Sequence, residues 1–420
     1  MRWLAHPLAP RWCVLGGLFV AALMIVFASL WGGPTSADAP APDNTTWLIA
    51  HGDFGCAYPP AASVVYQTTA PLYPLVSGAM AAVSRIGHGL AFPSPAQLGS
   101  TCATAAAALY QWSFHSASLA PTLRLGYVSW LALLAGVGLL VWALRNGGTR
   151  LAVAAMALVA CLPPVYMPLL QFFHPEDLLA TGFALAGVAF VLRERWVAAG
   201  LVLGLAVLSQ QFTVLILIPL LVVVPRTKLP KMLGGTAVSL AVVGVPLLAL
   251  TSGRAITAIV LGTGDVGGTN VSFYGIPLRD TAAVASLRLI PIVLCALVAW
   301  WSLRRLGPRA LEPAALLSVL TLSLALRLAF EVSLFGYYLM SVAVLLLLLE
   351  IALGRIGVLY VVWTALATWA TVGGALVDHG TFAGVAVQAW QLLIVVGAVY
   401  LAARPMLATR YAAPLEESRP

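Results

Sequence analysis

Long apolar segments alternate with short polar connections along most of the chain. A helix that crosses a bilayer needs about 20 mostly apolar residues. Segments of this kind lie near 12–31, 123–144, 151–170, 177–192, 232–250, 284–303, 310–330, 333–352, 356–377 and 382–402. The apolar stretch 197–224 is longer and contains Ser209, Gln210 and Gln211 at its centre. It predicts either one long tilted helix or a hairpin of two short helices.

The distribution of Arg and Lys favours the hairpin. With a cytoplasmic N-terminus and a hairpin at 197–224, 16 of the 22 basic residues fall on the cytoplasmic side. These residues are Arg2, Arg11, Arg145, Arg150, Arg193, Arg195, Arg226, Lys228, Lys231, Arg304, Arg305, Arg309, Arg355, Arg404, Arg410 and Arg419. Cytoplasmic loops are typically enriched in this way. A single 197–224 helix would move the basic run 225–231 outside, so we predict about twelve membrane segments with both termini cytoplasmic.

The composition supports a membrane location. Hydrophobic residues make up 61% of the chain and charged residues 9%, against roughly 25% charged residues in soluble proteins. The basic residues occur in short clusters and form no continuous basic face, which argues against nucleic acid as a main partner. The sequence therefore predicts an all-α polytopic protein of the plasma (inner) membrane, in contact with the lipid bilayer.

Four parts are expected along the chain. Residues 1–31 form the cytoplasmic N-terminus and first span, 32–121 a large extracytoplasmic loop with short amphipathic helices, 122–403 the transmembrane bundle, and 404–420 a cytoplasmic tail. The first span is either an uncleaved anchor or a signal peptide cut after Ala39. We favour the anchor, because signal peptides have a shorter apolar region of about 7–15 residues.

Two cysteines, Cys56 and Cys102, lie in the large loop. A disulfide persists on the oxidising side of the membrane, so these residues are either a bonded pair or a chance pair.

Polar side chains at the extracytoplasmic ends of the spans are the candidates for chemistry, since ionisable groups in a membrane are costly. His51 and Asp53 come early in the large loop, where Asp53 is either a general base toward a hydroxyl or part of a polar turn. His174, Glu176 and Asp177 begin the fourth span. The two carboxylates either cap this helix favourably, or the three groups position a sugar or, with a loop residue, bind a divalent metal.

Two further groups lie later in the chain. Gln210 and Gln211, at the predicted hairpin tip, either satisfy the backbone at a helix break or hydrogen-bond a polar ligand. Arg327 is four residues before Glu331, so the two can pair on one helix face, although an Arg fork also suits a phosphate. Tyr337 and Tyr338 fit an interfacial aromatic belt or a platform for lipid or sugar.

Arg279, beside Asp280, is a second phosphate-binding candidate or half of an ordinary loop ion pair. The chain contains no Walker, dinucleotide-binding, haem or zinc motif, which argues against a nucleotide-dependent cytoplasmic enzyme.

The layout resembles the GT-C superfamily of membrane glycosyltransferases, and in particular the family 87 type that uses polyprenyl-phosphomannose. The resemblance rests on the first span followed by a long loop with an early Asp53, on His174-Pro-Glu-Asp177 leading through 198–212 to Pro219, and on Gly336-Tyr-Tyr338. Ser209 stands where relatives often have Lys, which removes one phosphate contact.

This resemblance implies a GT-C-like fold and sugar transfer from a polyprenyl-phosphate donor to an envelope glycan or glycolipid acceptor on the extracytoplasmic face. Asp53 would be the base and Arg327, with Arg279, would hold the departing phosphate. Two alternatives remain at this point, a multi-span transporter or flippase and a non-catalytic subunit of an envelope-assembly complex. Transporters usually carry repeated broken helices in two halves, and the break at 209–211 has no evident partner.

Overall fold

The computed structural model describes residues 45–46, 48–50, 52–53, 56, 71–88, 119–144, 148–169, 174–251, 272–273, 276–277, 281–331, 336–373 and 381–407. The α-helices in chain order are α1 (Leu72–His88), α2 (Leu119–Ala143), α3 (Thr149–Ala160), α4 (Pro163–Met167), α5 (Pro175–Leu192), α6 (Trp196–Ser209), α7 (Val214–Val223), α8 (Leu229–Thr251), α9 (Thr281–Leu306), α10 (Pro313–Phe330), α11 (Leu339–Ala352), α12 (Val358–Gly373) and α13 (Thr381–Leu407). Short 3₁₀ segments are Gln211–Thr213, Gly307–Leu311 and Gly336–Tyr338. A two-residue ladder pairs β1 (Ser272–Phe273) antiparallel with β2 (Ile276–Pro277).

Six of the described helices are long and apolar enough to cross a membrane, so the chain is a helical membrane protein. Their apolar windows are Gly126–Ala143, Pro175–Leu192, Leu229–Thr251, Leu289–Leu311, Pro313–Phe330 and Trp390–Leu407. Helix α8 shows the expected lipid-facing stripe, since Val238, Val242 and Val245 are each more than half exposed. An apolar stripe of this size on a soluble protein would mark an interface; here it fits contact with lipid tails.

The other predicted spans are shorter helices. Residues 151–170 contain α3 and α4, while 333–352 and 356–377 contain α11 and α12. Helices α6 and α7 have 14 and 10 residues, about 21 and 15 Å at 1.5 Å per residue, against a hydrocarbon core of about 30 Å. Twelve full crossings therefore stay a prediction. The first predicted span, its signal-peptide alternative and most of the large loop lie outside the described residues.

The apolar stretch 197–224 is divided at Gln210, where α6 ends and the backbone becomes extended. Helix α6 packs on α5 and α8, whereas α7 packs on α9 and α10. Helices α6 and α8 run parallel, because Gly200 faces Met232 and Gly204 faces Ser239. The turn before α8 therefore lies at the same end of the bundle as Arg193, which is where the hairpin places the basic run 225–231.

Two ends of the bundle can thus be named from the residues found there. The His174 end contains His174 at the start of α5, Gln210 after α6 and Arg327 in the last turn of α10. The Arg193 end contains Arg193 after α5 and the connection from α9 to α10.

Helix α13 continues beyond the predicted boundary at 403 and ends at Leu407. Its Arg404 pairs with Glu350, a residue of α11 whose side chain is 2% exposed. The second carboxylate oxygen of Glu350 accepts a hydrogen bond of 2.6 Å from the backbone N–H of Gly357. A buried carboxylate needs a charged or hydrogen-bonding partner, and Arg404 provides one for Glu350. Arg404 therefore belongs to the packed bundle and not to a solvated tail.

Small residues let the helix backbones approach closely. Gly136 of α2 lies directly on Gly182 of α5, and Gly200 of α6 lies on the backbone of α8 at Met232. Farther along the same two helices, Ser239 donates a hydrogen bond of 2.6 Å from its Oγ to the carbonyl oxygen of Leu201. Close packing of small residues with such hydrogen bonds is the usual basis of helix association in membranes.

Neighbouring glycines in α8 provide a matched test of this packing. A Cβ added at Gly235 would collide with the carbonyl oxygen of Val197, whereas one added at Gly234 meets nothing within 4 Å. We predict that Gly235→Ala destabilises the protein by about 1–3 kcal/mol, as overpacked cores do, and that Gly234→Ala is neutral or stabilising by up to about 1 kcal/mol. Unfolding followed in detergent micelles measures both, and equal effects would contradict this contact.

Candidate functional site

Four parts of the chain that are distant in sequence meet at the His174 end. They are the first turn of α5, the break at Gln210, the last turn of α10 and the Gly336–Tyr338 segment. Each part is a helix terminus, where backbone N–H or C=O groups lack partners within the helix. We call the resulting group of side chains the polar cluster: His174, Glu176, Asp177, Gln210, Phe212, Arg327, Glu331, Tyr337 and Tyr338.

Two buried carboxylates form the centre of the polar cluster. Glu176 is 1% exposed and Asp177 is 4% exposed. Pro175 occupies the first helical position of α5, where its missing N–H costs nothing, and the positive end of the helix dipole favours both carboxylates. Glu176 Oε1 lies 3.1 Å from His174 Nδ1. Glu176 Oε2 is buried and has no hydrogen-bond partner among the described residues, so this carboxylate has one oxygen available for a ligand.

Gln210 connects the helix break to α5. Its Nε2 donates a hydrogen bond of 2.9 Å to Asp177 Oδ1, while its Oε1 accepts one of 3.1 Å from the backbone N–H of Gln211. Both functions of the amide are therefore used within the protein. Gln211 itself is exposed. Gln210 thus accepts a hydrogen bond from the backbone at the helix break, which is one of the two roles predicted for it. It also donates a hydrogen bond to the Asp177 carboxylate.

The guanidinium group of Arg327 lies close to two aromatic rings and to the carboxylate of Asp177. Its guanidinium carbon lies 4.9 Å from the ring centre of Phe212 and 4.7 Å from that of Tyr338. Its Nε donates a hydrogen bond of 2.7 Å to Glu331 Oε2, which is the predicted i,i+4 pair. Asp177 lies within electrostatic range of the same guanidinium. Within the described part of the chain, neither terminal Nη nitrogen of Arg327 donates a hydrogen bond.

The two tyrosines link His174 to Arg327. The rings of His174 and Tyr337 are stacked with their centres 3.8 Å apart. Tyr337 and Tyr338 meet edge to face at 4.5 Å, and their hydroxyl oxygens lie 3.4 Å apart. Tyr337 is buried in this arrangement. Tyr337 and Tyr338 therefore contact other side chains of the polar cluster.

The charges of the polar cluster are unequal. Three carboxylates, on Glu176, Asp177 and Glu331, face one guanidinium and one imidazole. No three His, Cys, Asp or Glu side chains in the described residues are arranged to hold a metal ion together. The cluster as it stands offers hydrogen-bond acceptors for hydroxyl groups and one cationic fork for an anion.

Asp53 is exposed and lies in a turn. Its Oδ1 accepts a hydrogen bond of 3.0 Å from the backbone N–H of Cys56, the geometry of a polar turn. Cys56 is disulfide-bonded, and its partner lies outside the described residues, so the predicted pairing with Cys102 stays a prediction. His51 and Arg279 also lie outside the described residues.

The large loop reaches the neighbourhood of the polar cluster through α1. Thr46 and Ser77 are hydrogen-bonded through their hydroxyl oxygens at 2.7 Å, which attaches the residues just before Asp53 to α1. Leu72 and Tyr73 of α1 then pack against Leu179 and Leu208. These two leucines lie two residues from Asp177 and Gln210, so the loop is anchored close to the cluster.

Phe212 was not among the residues predicted for the site. A single phenylalanine after two glutamines gives no signal by itself, because its role depends on α10 bringing Arg327 over its ring. The position of Phe212 next to a polar break in an apolar stretch is the one feature of the sequence that indicates it.

Comparisons of the chain with protein-family models, with curated proteins and with solved structures found no match.

The bond between Gln210 and Asp177 can be tested by a double-mutant cycle. Asp177→Ala or Gln210→Ala leaves a buried partner unsatisfied, at a cost of about 1–3 kcal/mol. We predict that the double variant is less destabilised than the two single effects added together, by at least about 0.5 kcal/mol. Unfolding in nanodiscs measures the coupling. Gln211→Ala is the matched control and should be neutral, and additive effects of the two main variants would show that the bond contributes nothing.

Proposed function

We propose that the protein is a GT-C-like membrane glycosyltransferase that transfers a sugar from a polyprenyl-phosphate donor to a glycan or glycolipid acceptor. The observation that carries the proposal is the polar cluster itself. Buried ionisable side chains in a membrane protein are costly and are by default functional, and those of the cluster combine a cationic fork with several hydrogen-bond acceptors. A sugar attached to a phosphate presents the complementary groups, namely hydroxyl donors and an anion.

The position of the polar cluster at the ends of two full-length apolar helices favours a transferase over a transporter. Secondary transporters bind their substrates near the middle of the bilayer, at the interface between repeats. The polar cluster is built from helix ends, with α5 beginning and α10 ending there. A site at the membrane surface suits a donor whose lipid tail stays in the bilayer while its sugar meets a water-soluble or surface acceptor. By the positive-inside rule, this is the extracytoplasmic end, opposite to Arg193, Arg304 and Arg404.

The proposed roles follow from the side chains. The terminal nitrogens of Arg327 bind the donor phosphate, since planar guanidinium forks recognise phosphate through paired hydrogen bonds. His174, Glu176, Asp177 and Tyr337 provide the polar groups that contact the sugar hydroxyls. Asp53 removes the proton of the acceptor hydroxyl as its oxygen attacks the anomeric carbon, and the polyprenyl phosphate leaves with the electrons of the broken bond. The anchoring of the loop to α1 supports the presence of Asp53 near this end.

Donor binding is tested with two variants, one at Arg327 and one at Glu331, that should change the affinity for the donor phosphate in opposite directions. A ligand that binds only the folded state raises the unfolding midpoint, so decaprenyl-phosphate, decaprenyl-phosphomannose and decaprenyl-phosphoarabinose are compared by thermal unfolding in nanodiscs. We predict that one of them stabilises the wild type. Arg327→Ala should lose about 1.5–3 kcal/mol of binding, roughly ten- to a hundredfold in affinity. Glu331→Gln removes the negative charge that competes with a phosphate for Arg327, so it should bind the donor more tightly than the wild type.

The unliganded midpoint of each variant is the control for folding. Arg327→Lys keeps the charge without the fork and should fall between the wild type and Arg327→Ala. The absence of any shift with all three lipids in the folded wild type would contradict the proposed donor, and a shift that survives in Arg327→Ala would remove Arg327 from the site.

Catalysis is tested separately from binding at Asp53. We predict that Asp53→Asn binds the donor as the wild type does, because the side chain is exposed and outside the cluster, but transfers no sugar, because the amide cannot take a proton. Transfer is measured with radiolabelled donor and membrane acceptors. Transfer at the wild-type rate by this variant would show that another group is the base.

A further inference from the structure

A cavity at the Arg193 end has no role in the proposed transfer reaction. It lies between the last turns of α2 and α5 and has a volume of about 370 Å³, and its lining includes Leu139, Trp142, Phe190, Arg193 and Arg195. This volume is within the roughly 300–1,000 Å³ of typical small-molecule sites. The His174 end, with the polar cluster, is at the opposite end of α5, so the two sites are separate.

The cavity carries two positive charges without a compensating negative charge. Arg193 is exposed and lies over the ring of Trp142, with 4.3 Å between its guanidinium carbon and the ring centre. Its Nη2 donates a hydrogen bond of 2.7 Å to the Trp142 carbonyl oxygen, which fixes the guanidinium at the cavity. In the part of the chain that the structure describes, Arg195 makes no side-chain hydrogen bond, and neither arginine forms an ion pair with the exposed Glu194. The cavity therefore attracts an anion.

Three Trp–Arg pairs place the cavity at the depth of lipid headgroups. Besides Trp142 and Arg193, Arg304 lies 5.3 Å from the ring centre of Trp300 and Arg305 lies 5.3 Å from that of Trp301. All three pairs are at the Arg193 end. Tryptophan is enriched at the membrane–water interface, and arginine extends its charge from there toward the headgroups. The anion that reaches the cavity is accordingly one that is located at the interface.

An apolar stripe leads from the cavity along the outside of α2. Trp142, Ala135, Leu131 and Val128 are spaced by three, four or seven residues and are exposed, with Leu131 at 58% and Trp142 at 48%. Residues at these spacings share one face of a helix. A free phosphate would make no use of this surface, whereas an acyl chain would lie along it.

We propose that this cavity is a binding site for one anionic phospholipid, with the headgroup phosphate between Arg193 and Arg195 and one acyl chain along α2. The occupant is a lipid of the leaflet at the Arg193 end, the cytoplasmic leaflet by the positive-inside rule. The site is independent of the proposed glycosyl transfer. It anchors the ends of α2 and α5 to the membrane.

Native mass spectrometry of the detergent-purified full-length protein tests this site. Dioleoyl phosphatidylglycerol is titrated and bound lipid is counted, with dioleoyl phosphatidylcholine as the uncharged match. We expect one phosphatidylglycerol to bind in clear preference to phosphatidylcholine. Each arginine near a headgroup contributes about fivefold in affinity, so Arg195→Gln should bind about fivefold more weakly and the double variant with Arg193→Gln about 25-fold more weakly.

Arg226→Gln is the matched control, because it removes one exposed charge from the same end of the bundle. It should bind phosphatidylglycerol within about twofold of the wild type. Arg195→Gln keeps the test valid if the double variant misfolds, since Arg195 makes no side-chain hydrogen bond in the described structure. Equal binding of the two lipids, an equal loss in Arg226→Gln, or full displacement of the lipid by millimolar inorganic phosphate would each overturn the proposal.

Discussion

The hydrogen bond between Gln210 and Asp177 is the interaction on which the arrangement of the His174 end depends. An apolar stretch of 28 residues cannot be interrupted in a membrane unless the freed backbone groups find partners. The side-chain oxygen of Gln210 accepts a hydrogen bond from the backbone N–H of Gln211. The side-chain nitrogen of Gln210 donates one to the buried carboxylate of Asp177. The break separates α6 from α7, so that α6 packs on α5 and α8 while α7 reaches α9 and α10. It also turns Phe212 toward Arg327.

Buried charged side chains have different sets of partners at the two ends of the bundle. At the Arg193 end, one oxygen of the Glu350 carboxylate pairs with Arg404 and the other accepts a hydrogen bond from the backbone N–H of Gly357. At the His174 end the carboxylates outnumber the cations, one oxygen of Glu176 has no hydrogen-bond partner in the described structure, and Arg327 uses one nitrogen of its fork. Both carboxylate oxygens of Glu350 therefore have partners within the described protein, whereas one oxygen of Glu176 remains available for a ligand.

Much of the helical pattern was predictable from the sequence, because long apolar runs and the break at 209–211 are local features. The pair of Arg327 and Glu331 is local too, since four residues make one turn of a helix. The meeting of His174, Gln210, Arg327 and Tyr337 was not predictable, because each helix is apolar on its lipid face as well as its protein face and so carries no signal for its neighbours. For the same reason the contact between Glu350 and Arg404, which are 54 residues apart, was not predictable from the sequence.

Photo-crosslinking tests most directly whether the polar cluster is a donor site. A polyprenyl-phosphate sugar with a diazirine near the phosphate is irradiated with the protein in nanodiscs, and the labelled peptides are mapped by mass spectrometry. We predict labels on peptides that contain Phe212 or Tyr338, and their loss when unmodified decaprenyl-phosphate is added in excess. Labels spread over the exposed face of α8, or labels that the competitor does not reduce, would contradict a donor site at the polar cluster.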